Sequence, residues 1–154
     1  MIVRAMAASE QDAVARLFHD VWHETQGPLQ DSRVAAFRNL EFFAGRVRER
    51  APRTLVAHEG SQLAGFACWT GSRFNSLFVG REFRRHGTGA ALLAAAEAQM
   101  EKSASHPFNL TCIYGNEAAR RFYERHGWHV AREEQLSTDI GGSTAYVQAW
   151  VMEK

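Results

Sequence analysis

The stretch of sequence that decides the fold runs from residue 77 to residue 89 and reads Leu77-Phe78-Val79-Gly80-Arg81-Glu82-Phe83-Arg84-Arg85-His86-Gly87-Thr88-Gly89. It predicts a strand, a basic turn and then a helix that opens on glycines. The first amides of a helix have no partner inside it, and the helix dipole favours negative charge there. Glycine permits close approach of the backbone, and arginine donates well to phosphate oxygens. We interpret this loop as a phosphate-binding site.

Two common phosphate motifs do not fit this loop. The spacing between Gly80 and Gly87 is not the glycine spacing of a P-loop, and no lysine follows the second glycine as a P-loop requires. A dinucleotide fingerprint needs a third glycine where Leu92 stands. The simpler alternative, a helix that merely starts with glycines behind solvated arginines, stays open for the loop taken alone.

The rest of the chain alternates between strand-like and helix-like patterns. One helix is predicted from an N-cap at Ser9 to the break at Gly27-Pro28, and others over residues 31–50, 87–100 and 116–125. Strands are predicted at residues 2–6, 54–58, 63–70, 74–79, 107–113, 128–138 and 144–152. This order predicts a mixed sheet with helices on its faces, of the α/β class.

Composition limits the classes of protein that this chain can belong to. Its 154 residues suit one domain, and a net charge of +1 argues against a nucleic-acid partner. The longest nearly apolar stretch, residues 90–96, is far shorter than the roughly 20 residues of a membrane span. The two cysteines, Cys68 and Cys112, exclude a disulfide framework. We expect a cytoplasmic monomer or homodimer without a membrane segment.

A second motif follows the predicted strand at residues 107–113. It reads Asn116-x-x-Ala119-x-x-Phe122-Tyr123-Glu124-x-x-Gly127-Trp128. Together with Arg84-x-x-Gly87-x-Gly89, it resembles the GCN5-related N-acetyltransferase (GNAT) superfamily, in which phenylalanine is commoner where Trp128 stands. The resemblance covers essentially the whole chain. It implies a mixed, mostly antiparallel sheet of about seven strands, flanked by about four helices and splayed between the fourth and fifth strands.

The resemblance also implies a binding mode for acetyl-CoA in that splayed cleft. The pantetheine arm would pair with the backbone of residues 77–79, the diphosphate would rest on the amides of residues 85–90, and Asn116 would hydrogen-bond the arm. No metal is expected, because His126 and His129 lack a carboxylate or thiol partner. The residues assigned to the cofactor are Leu77, Phe78, Val79, Arg84, Arg85, His86, Gly87, Thr88, Gly89, Ala90 and Asn116.

The implied chemistry is attack of a primary amine on the thioester in a ternary complex. Tyr123 would protonate the leaving thiolate, since a phenol has a comparable pKa, and a backbone amide near Val79 would stabilise the oxyanion. The alternatives are a Tyr123 that only packs the helix, and a Cys112 that carries the acyl group.

The sequence offers no carboxylate at the position where some relatives carry the general base. Some relatives carry a glutamate where Thr111 stands, and threonine is not a base. A water chain held by Thr111, Ser76 or a backbone carbonyl is the preferred hypothesis. An acceptor of low pKa would need no strong base, and the less favoured candidate bases are Glu41, His23 and His58.

The resemblance implies an acceptor site built by the first two helices, their connecting loop and the last hairpin. Its aromatic residues could enclose a small apolar or cationic amine, so a small-molecule acceptor is favoured. The alternatives are a non-catalytic acyl-CoA-binding module, and an enzyme acting on a protein amine or on aminoacyl-tRNA. The residues predicted for the acceptor site are Trp22, His23, Glu24, Gln26, Phe42, Phe43, Trp69 and Tyr146.

Overall fold

A computed structural model describes all residues from Met1 to Lys154. It contains a seven-stranded sheet with the strand order β1-β2-β3-β4-β5-β7-β6. The strands are β1 (Ile2–Ala5), β2 (Thr54–Glu59), β3 (Gln62–Thr70), β4 (Arg73–Val79), β5 (Asn109–Ile113), β6 (His129–Asp139) and β7 (Thr144–Glu153). The α-helices are α1 (Gln11–Thr25), α2 (Ser32–Phe37), α3 (Leu40–Arg50), α4 (Thr88–Ser103) and α5 (Glu117–Arg125).

The sheet is mostly antiparallel and is splayed between β4 and β5. These two strands run parallel and are paired only where Arg73 stands opposite Asn109. Beyond that point β4 keeps its pairing with β3, whereas β5 pairs along its whole length with β7. The expected mixed sheet, with its gap between the fourth and fifth strands, is confirmed.

A β-bulge at Asn75 sets which way the side chains of β4 point. Cys68 lies opposite Ser76 while Trp69 lies opposite Phe74, so Asn75 has no partner on β3. An extra residue on one strand bends it locally and shifts its side-chain alternation. As a result, Phe74 packs on one face of the sheet and Phe78 on the other.

Each face of the sheet has its own hydrophobic core. One core lies under α4 and α5 and includes Leu92, Met100 and Trp128. The other lies under α1 and α3, where the Phe18 ring is 4.7 Å from Phe43 and 4.8 Å from Phe78. Phe74 of β4 and Leu110 of β5 belong to the first core and Phe78 of β4 belongs to the second, so residues of both cores lie beside the gap between these strands. No helix is both long and apolar enough to cross a membrane.

The helix predicted over residues 31–50 is wrong, because two helices occupy that range. The Asn39 side-chain oxygen accepts a hydrogen bond from the Phe42 amide at 3.0 Å and caps a new helix. Asparagine competes for backbone donors in this way, and so it favours helix starts over helix interiors. The break accounts for five helices where about four were expected, and Phe37, the last residue of α2, is about half exposed.

The predicted N-cap at Ser9 is also wrong, because Ser9 lies in a 3-10 turn ahead of α1. The local acceptor is instead the Glu10 carboxylate, which takes the Ala7 amide at 2.8 Å. The same carboxylate binds Arg4 at 2.6 Å and His58 at 2.9 Å, so it ties β1 and β2 to the start of α1. These long-range partners cannot be seen in a local pattern.

Candidate active site

The gap between β4 and β5 opens into a cavity of about 500 Å³. Its walls come from α1, α3, β4, β5 and α5, so it reaches both faces of the sheet. The predicted site residues that line it are Leu77, Phe78, Val79, Arg84, Gly89, Asn116 and Tyr123. The predicted residues outside the lining, all in the loop before α4 or in its first turn, are Arg85, His86, Gly87, Thr88 and Ala90.

The backbone of β4 offers hydrogen-bonding groups to this cavity. The Gly80 amide donates to the Ala64 carbonyl of β3 at 2.8 Å. Since successive residues of a strand point their polar groups to opposite edges, the backbone groups of Leu77 and Val79 face away from β3, towards β5. The splay removes β5 as their partner. An extended ligand lying in the gap could therefore pair with them like an added strand.

The loop before α4 has the backbone geometry of an anion site. Arg85 and Gly87 have φ angles of 66° and 78°, in the left-handed region. A Cβ atom on Gly87 would meet nothing within 4 Å, so glycine is needed there for its φ angle and not for packing. The first backbone hydrogen bond at this end of the helix runs from the Ala91 amide to the Gly87 carbonyl. The amides of residues 88–90 consequently have no acceptor within the helix, and they suit a phosphate.

Arg84 is not a free cation in this structure. Its guanidinium group binds the Glu24 carboxylate at 2.9 and 3.2 Å, and its Nε atom donates to the Val79 carbonyl at 3.4 Å. The hydrogen bond from Arg84 also lowers the pKa of Glu24. Arg84 thus joins the end of α1 to the strand edge, and its predicted contact with a phosphate stays a prediction. Arg81 and Arg85 of the same loop are exposed.

Tyr123 lies on the α5 side of the cavity in an aromatic setting. Its ring centroid is 5.3 Å from Phe122, 6.3 Å from Phe74 and 6.1 Å from Trp128. Burial raises the pKa of its phenol well above the usual value, and the nearby Cys112 thiol adds to the shift. The phenol is therefore a proton donor throughout the neutral range and is not a base there.

Asn116 and Cys112 lie on the same wall. The Asn116 side-chain oxygen caps α5 by accepting the Ala119 amide at 3.4 Å, which leaves its NH₂ group for a ligand. Burial raises the pKa of the Cys112 thiol to about 11. A thiol that stays neutral is a poor nucleophile, so this environment opposes the acyl-cysteine hypothesis.

Half of the predicted acceptor residues line the cavity and half do not. Trp22, Gln26, Phe42 and Phe43 are part of its wall. The other four have different contacts: Glu24 pairs with Arg84, His23 bonds the Arg38 carbonyl at 2.6 Å, Trp69 is buried in the core under α4, and Tyr146 is 60% exposed. These four residues therefore lie outside the cavity lining, and their place in the acceptor site stays a prediction.

No aspartate, glutamate or histidine lines the cavity. The Thr111 hydroxyl accepts from Arg73 at 3.0 Å, and the Ser76 hydroxyl accepts from Arg50 at 3.3 Å. Glu41 is exposed beside Arg48, and His58 is bound to Glu10. The less favoured candidate bases predicted from the sequence are thus all away from the cavity lining.

Four arginines of the cavity wall are not among the residues predicted from the sequence. Basic residues at the end of α3 suit the helix dipole, but Arg46 and Arg50 of that run line the cavity. Burial and the neighbouring Arg46 lower the pKa of Arg38 to about 10, which leaves it cationic at neutral pH. We call this group the arginine cluster; its members are Arg38, Arg46, Arg50 and Arg73.

A family model, described as an acetyltransferase (GNAT) domain, matches residues 24–141. The match covers more than half of the chain, and the chain therefore belongs to the GNAT family of acetyltransferases, which bind acetyl-CoA. The resemblance inferred from the two sequence motifs is confirmed. A comparison with curated protein sequences gives no significant match.

Solved structures share this fold over nearly their whole length. Ribosomal-protein-alanine N-acetyltransferase from Brucella melitensis has a TM-score of 0.78 at 17% identity, with 100% of this chain and 99% of that chain covered. The putative acetyltransferase YncA from Salmonella typhimurium, solved with its cofactor acetyl-CoA, has a TM-score of 0.77 at 14% identity, covering 100% and 92%. PaiA N-acetyltransferase from Thermoplasma acidophilum, in complex with coenzyme A, has a TM-score of 0.69 at 20% identity, covering 99% and 97%.

The residues around the gap fit acetyl-CoA as the cosubstrate. The free amides at the start of α4 suit a diphosphate, and the open edge of β4 suits an extended amide-bearing arm. No group of three or more histidine, cysteine, aspartate or glutamate side chains could hold a metal ion.

Proposed function

We propose that this protein is an N-acetyltransferase that transfers the acetyl group of acetyl-CoA to a primary amine of a small molecule, by direct attack in a ternary complex. The observation that carries the proposal is one continuous cavity, lined by Gly89 at the start of α4, by the open edge of β4, and by Tyr123. Family membership supplies the acetyltransferase class, and the cavity of about 500 Å³ favours a small acceptor.

The cosubstrate contacts follow from the free backbone groups. Residues 85–90 would hold the diphosphate, the backbone groups of Leu77 and the Val79 amide would pair with the pantetheine arm, and the Asn116 NH₂ group would donate to it. The Val79 carbonyl already accepts from Arg84. When bound, acetyl-CoA supplies an acyl group activated as a thioester. Because the Asn116 oxygen already caps α5, that side chain is held in place before the ligand arrives.

Two groups of the chain would act on the reacting atoms. A backbone amide of β4 near Val79, free of a strand partner, would donate to the oxygen on which negative charge develops. The Tyr123 phenol would give its proton to the leaving sulfur. Burial raises the pKa of Tyr123, which keeps the phenol protonated at neutral pH and makes it a weaker acid than a free phenol, so proton transfer depends on the negative charge that develops on the sulfur in the same buried setting.

The acceptor must lose a proton without help from a carboxylate or a histidine. A free alkylamine with a pKa of about 10.4 is neutral in only roughly one molecule in 10³ at pH 7. Nearby positive charge lowers the pKa of a bound ammonium group, and the arginine cluster supplies such charge. Water held by Thr111 or Ser76 would then take up the proton.

The test combines binding and turnover. Titration calorimetry should show saturable binding of acetyl-CoA, and a thiol-release assay over a panel of amines should show turnover with at least one small amine. Binding without thiol release from any amine would favour a non-catalytic acyl-CoA-binding module. Strongly salt-dependent binding of tRNA would favour aminoacyl-tRNA as the acceptor.

A further inference from the structure

The arginine cluster is a local excess of positive charge. Arg46 lowers the pKa of Arg38, and Arg50 lowers the pKa of both Arg46 and Arg73, so the four guanidinium groups repel one another in a row. None of them forms an ion pair with a carboxylate. The carboxylates that act on them, Glu49 on Arg46 and Glu134 on Arg73, do so only at longer range and from outside the cavity lining.

Neutral groups hold these guanidinium groups in position. Arg38 lies 4.8 Å from the Trp22 ring and 4.9 Å from the Phe42 ring, and Arg46 lies 4.8 Å from the same Phe42 ring. Arg50 donates to the Ser76 hydroxyl. Aromatic rings and hydroxyl groups orient a cation without cancelling its charge.

Two buried polar atoms of the cavity wall have no partner, the Arg38 Nε donor and the Asn75 Oδ1 acceptor. A buried polar group without a hydrogen bond is costly, and unpaired charge removed from water is costlier still. A donor in the cluster and an acceptor in the β4 bulge therefore both lack a counterpart. Their chemistry matches a ligand with an anionic group and an ammonium or amine group.

We propose that the acceptor is a small amine that also carries a carboxylate or phosphate group, and that Arg38, Arg46 and Arg50 bind this anion. Guanidinium groups match both oxyanions, so the shared chemistry is the anion itself. This inference rests on the proposed function and replaces the expected apolar or cationic acceptor. The anion would offset part of the cluster's positive charge on binding and leave the rest to act on the ammonium group, while the Asn75 oxygen would accept from the amine.

The first experiment compares amines that differ only in the anion. We expect kcat/KM, corrected for the fraction of neutral amine, to be at least about tenfold higher for glycine than for glycinamide, or for phosphoethanolamine than for ethanolamine. The glycine pair tests the carboxylate and the phosphoethanolamine pair tests the phosphate. If glycinamide and ethanolamine, which lack the anionic group, were turned over as well as or better than glycine and phosphoethanolamine, the proposal would be overturned.

The second experiment uses two arginines on the same helix. Arg46→Gln should raise KM for the preferred anionic amine about tenfold or more, because a charge-assisted hydrogen bond is lost. It should leave the Kd for acetyl-CoA unchanged, and Arg46→Lys should recover part of the loss. Arg48→Gln is the matched control, because Arg48 is exposed outside the cavity and pairs with Glu41. An equal effect of both glutamine variants would overturn the proposal.

A binding arm separates this inference from the proposed function. Glutarate and inorganic phosphate carry the anion without the amine, so they cannot react. Each should raise the melting temperature of the CoA-loaded wild type more than that of Arg46→Gln or Arg50→Gln. If no amine releases thiol but this difference appears, the acetyltransferase proposal fails while the anion site stands. If turnover is seen but neither anion raises the melting temperature of the wild type more than that of the variants, the anion site is refuted.

Discussion

The two ends of the cavity differ in what binds the ligand. At the end near α4, the expected donors are backbone amides freed by the start of a helix and by the splay of two strands. At the end near α3, the donors are side chains from separate elements, with Arg38 after α2, Arg46 and Arg50 in α3, and Arg73 at the start of β4. A backbone site depends on the fold and not on most side chains, whereas a side-chain site is particular to this sequence.

This difference explains why the cosubstrate follows from the family but the acceptor does not. Backbone donors survive the exchange of most side chains, so relatives at 14–20% identity keep the fold that presents them. The acceptor end is built from side chains that such relatives need not share. The two ends of the cavity can therefore be tested separately.

The largest effect is expected at Tyr123, where the two ends meet. Tyr123→Phe should lower kcat about 100-fold, because the leaving sulfur loses its proton donor. The Kd for acetyl-CoA and the melting temperature should change little, since the ring keeps its contacts with Phe74, Phe122 and Trp128. Steady-state kinetics with a calorimetric Kd checks this. An unchanged kcat would leave Tyr123 with a packing role only.

The dependence on pH tests the missing base at the acceptor end. For an alkylamine, kcat/KM should rise about tenfold per pH unit from about pH 6 to about pH 9, because the amine must lose its proton. The raised pKa of Tyr123 and of Cys112 keeps both groups protonated over that range, so neither group should change the slope of kcat/KM against pH. An amine of lower pKa should reach its plateau at lower pH. A plateau at one pH for every amine would point to a base in the protein instead.

Gly87 tests the backbone site alone. Asparagine and aspartate both tolerate the left-handed region, and their side chains would enter open space there. Gly87→Asp should weaken acetyl-CoA binding about tenfold more than Gly87→Asn, because only aspartate repels a diphosphate. Calorimetry checks the affinity, and thermal unfolding without ligand should be similar for the two variants. Equal affinities would mean that no phosphate lies near Gly87.

The smallest effect is expected at Glu10, which belongs to neither end. Its bonds to Arg4, the Ala7 amide and His58 lower its pKa to about 2, so it stabilises the fold above its ordinary pKa of 4.5. Glu10→Gln should therefore lower the melting temperature by a few degrees at pH 7, and this difference should vanish as the pH falls towards about 2. Kinetic constants per folded molecule should be unchanged. A loss of turnover without a loss of stability would extend the site beyond the cavity.

The sequence predicted the order of strands and helices along the chain and the loop before α4 because each has a local signal, whereas the gap was implied by the family resemblance that the two motifs carry. Glycine at 87, the motif from Asn116 to Trp128, and the strand periodicity are read from neighbouring residues. The acceptor end has no such signal. Whether an arginine of α3 faces the cavity depends on the helix break at Asn39, which was missed, and on packing against α1. The tertiary structure decides which charged side chains from separate elements come together.

The most direct test of the central claim is backbone amide hydrogen exchange with and without acetyl-CoA. Acetyl-CoA should slow exchange at two separated places, the amides of residues 87–90 and those of Leu77 and Val79, while the amides of α3 change little. Slowed exchange confined to other segments, or none at a saturating concentration, would contradict acetyl-CoA binding by the backbone, because the free backbone donors would then have no ligand.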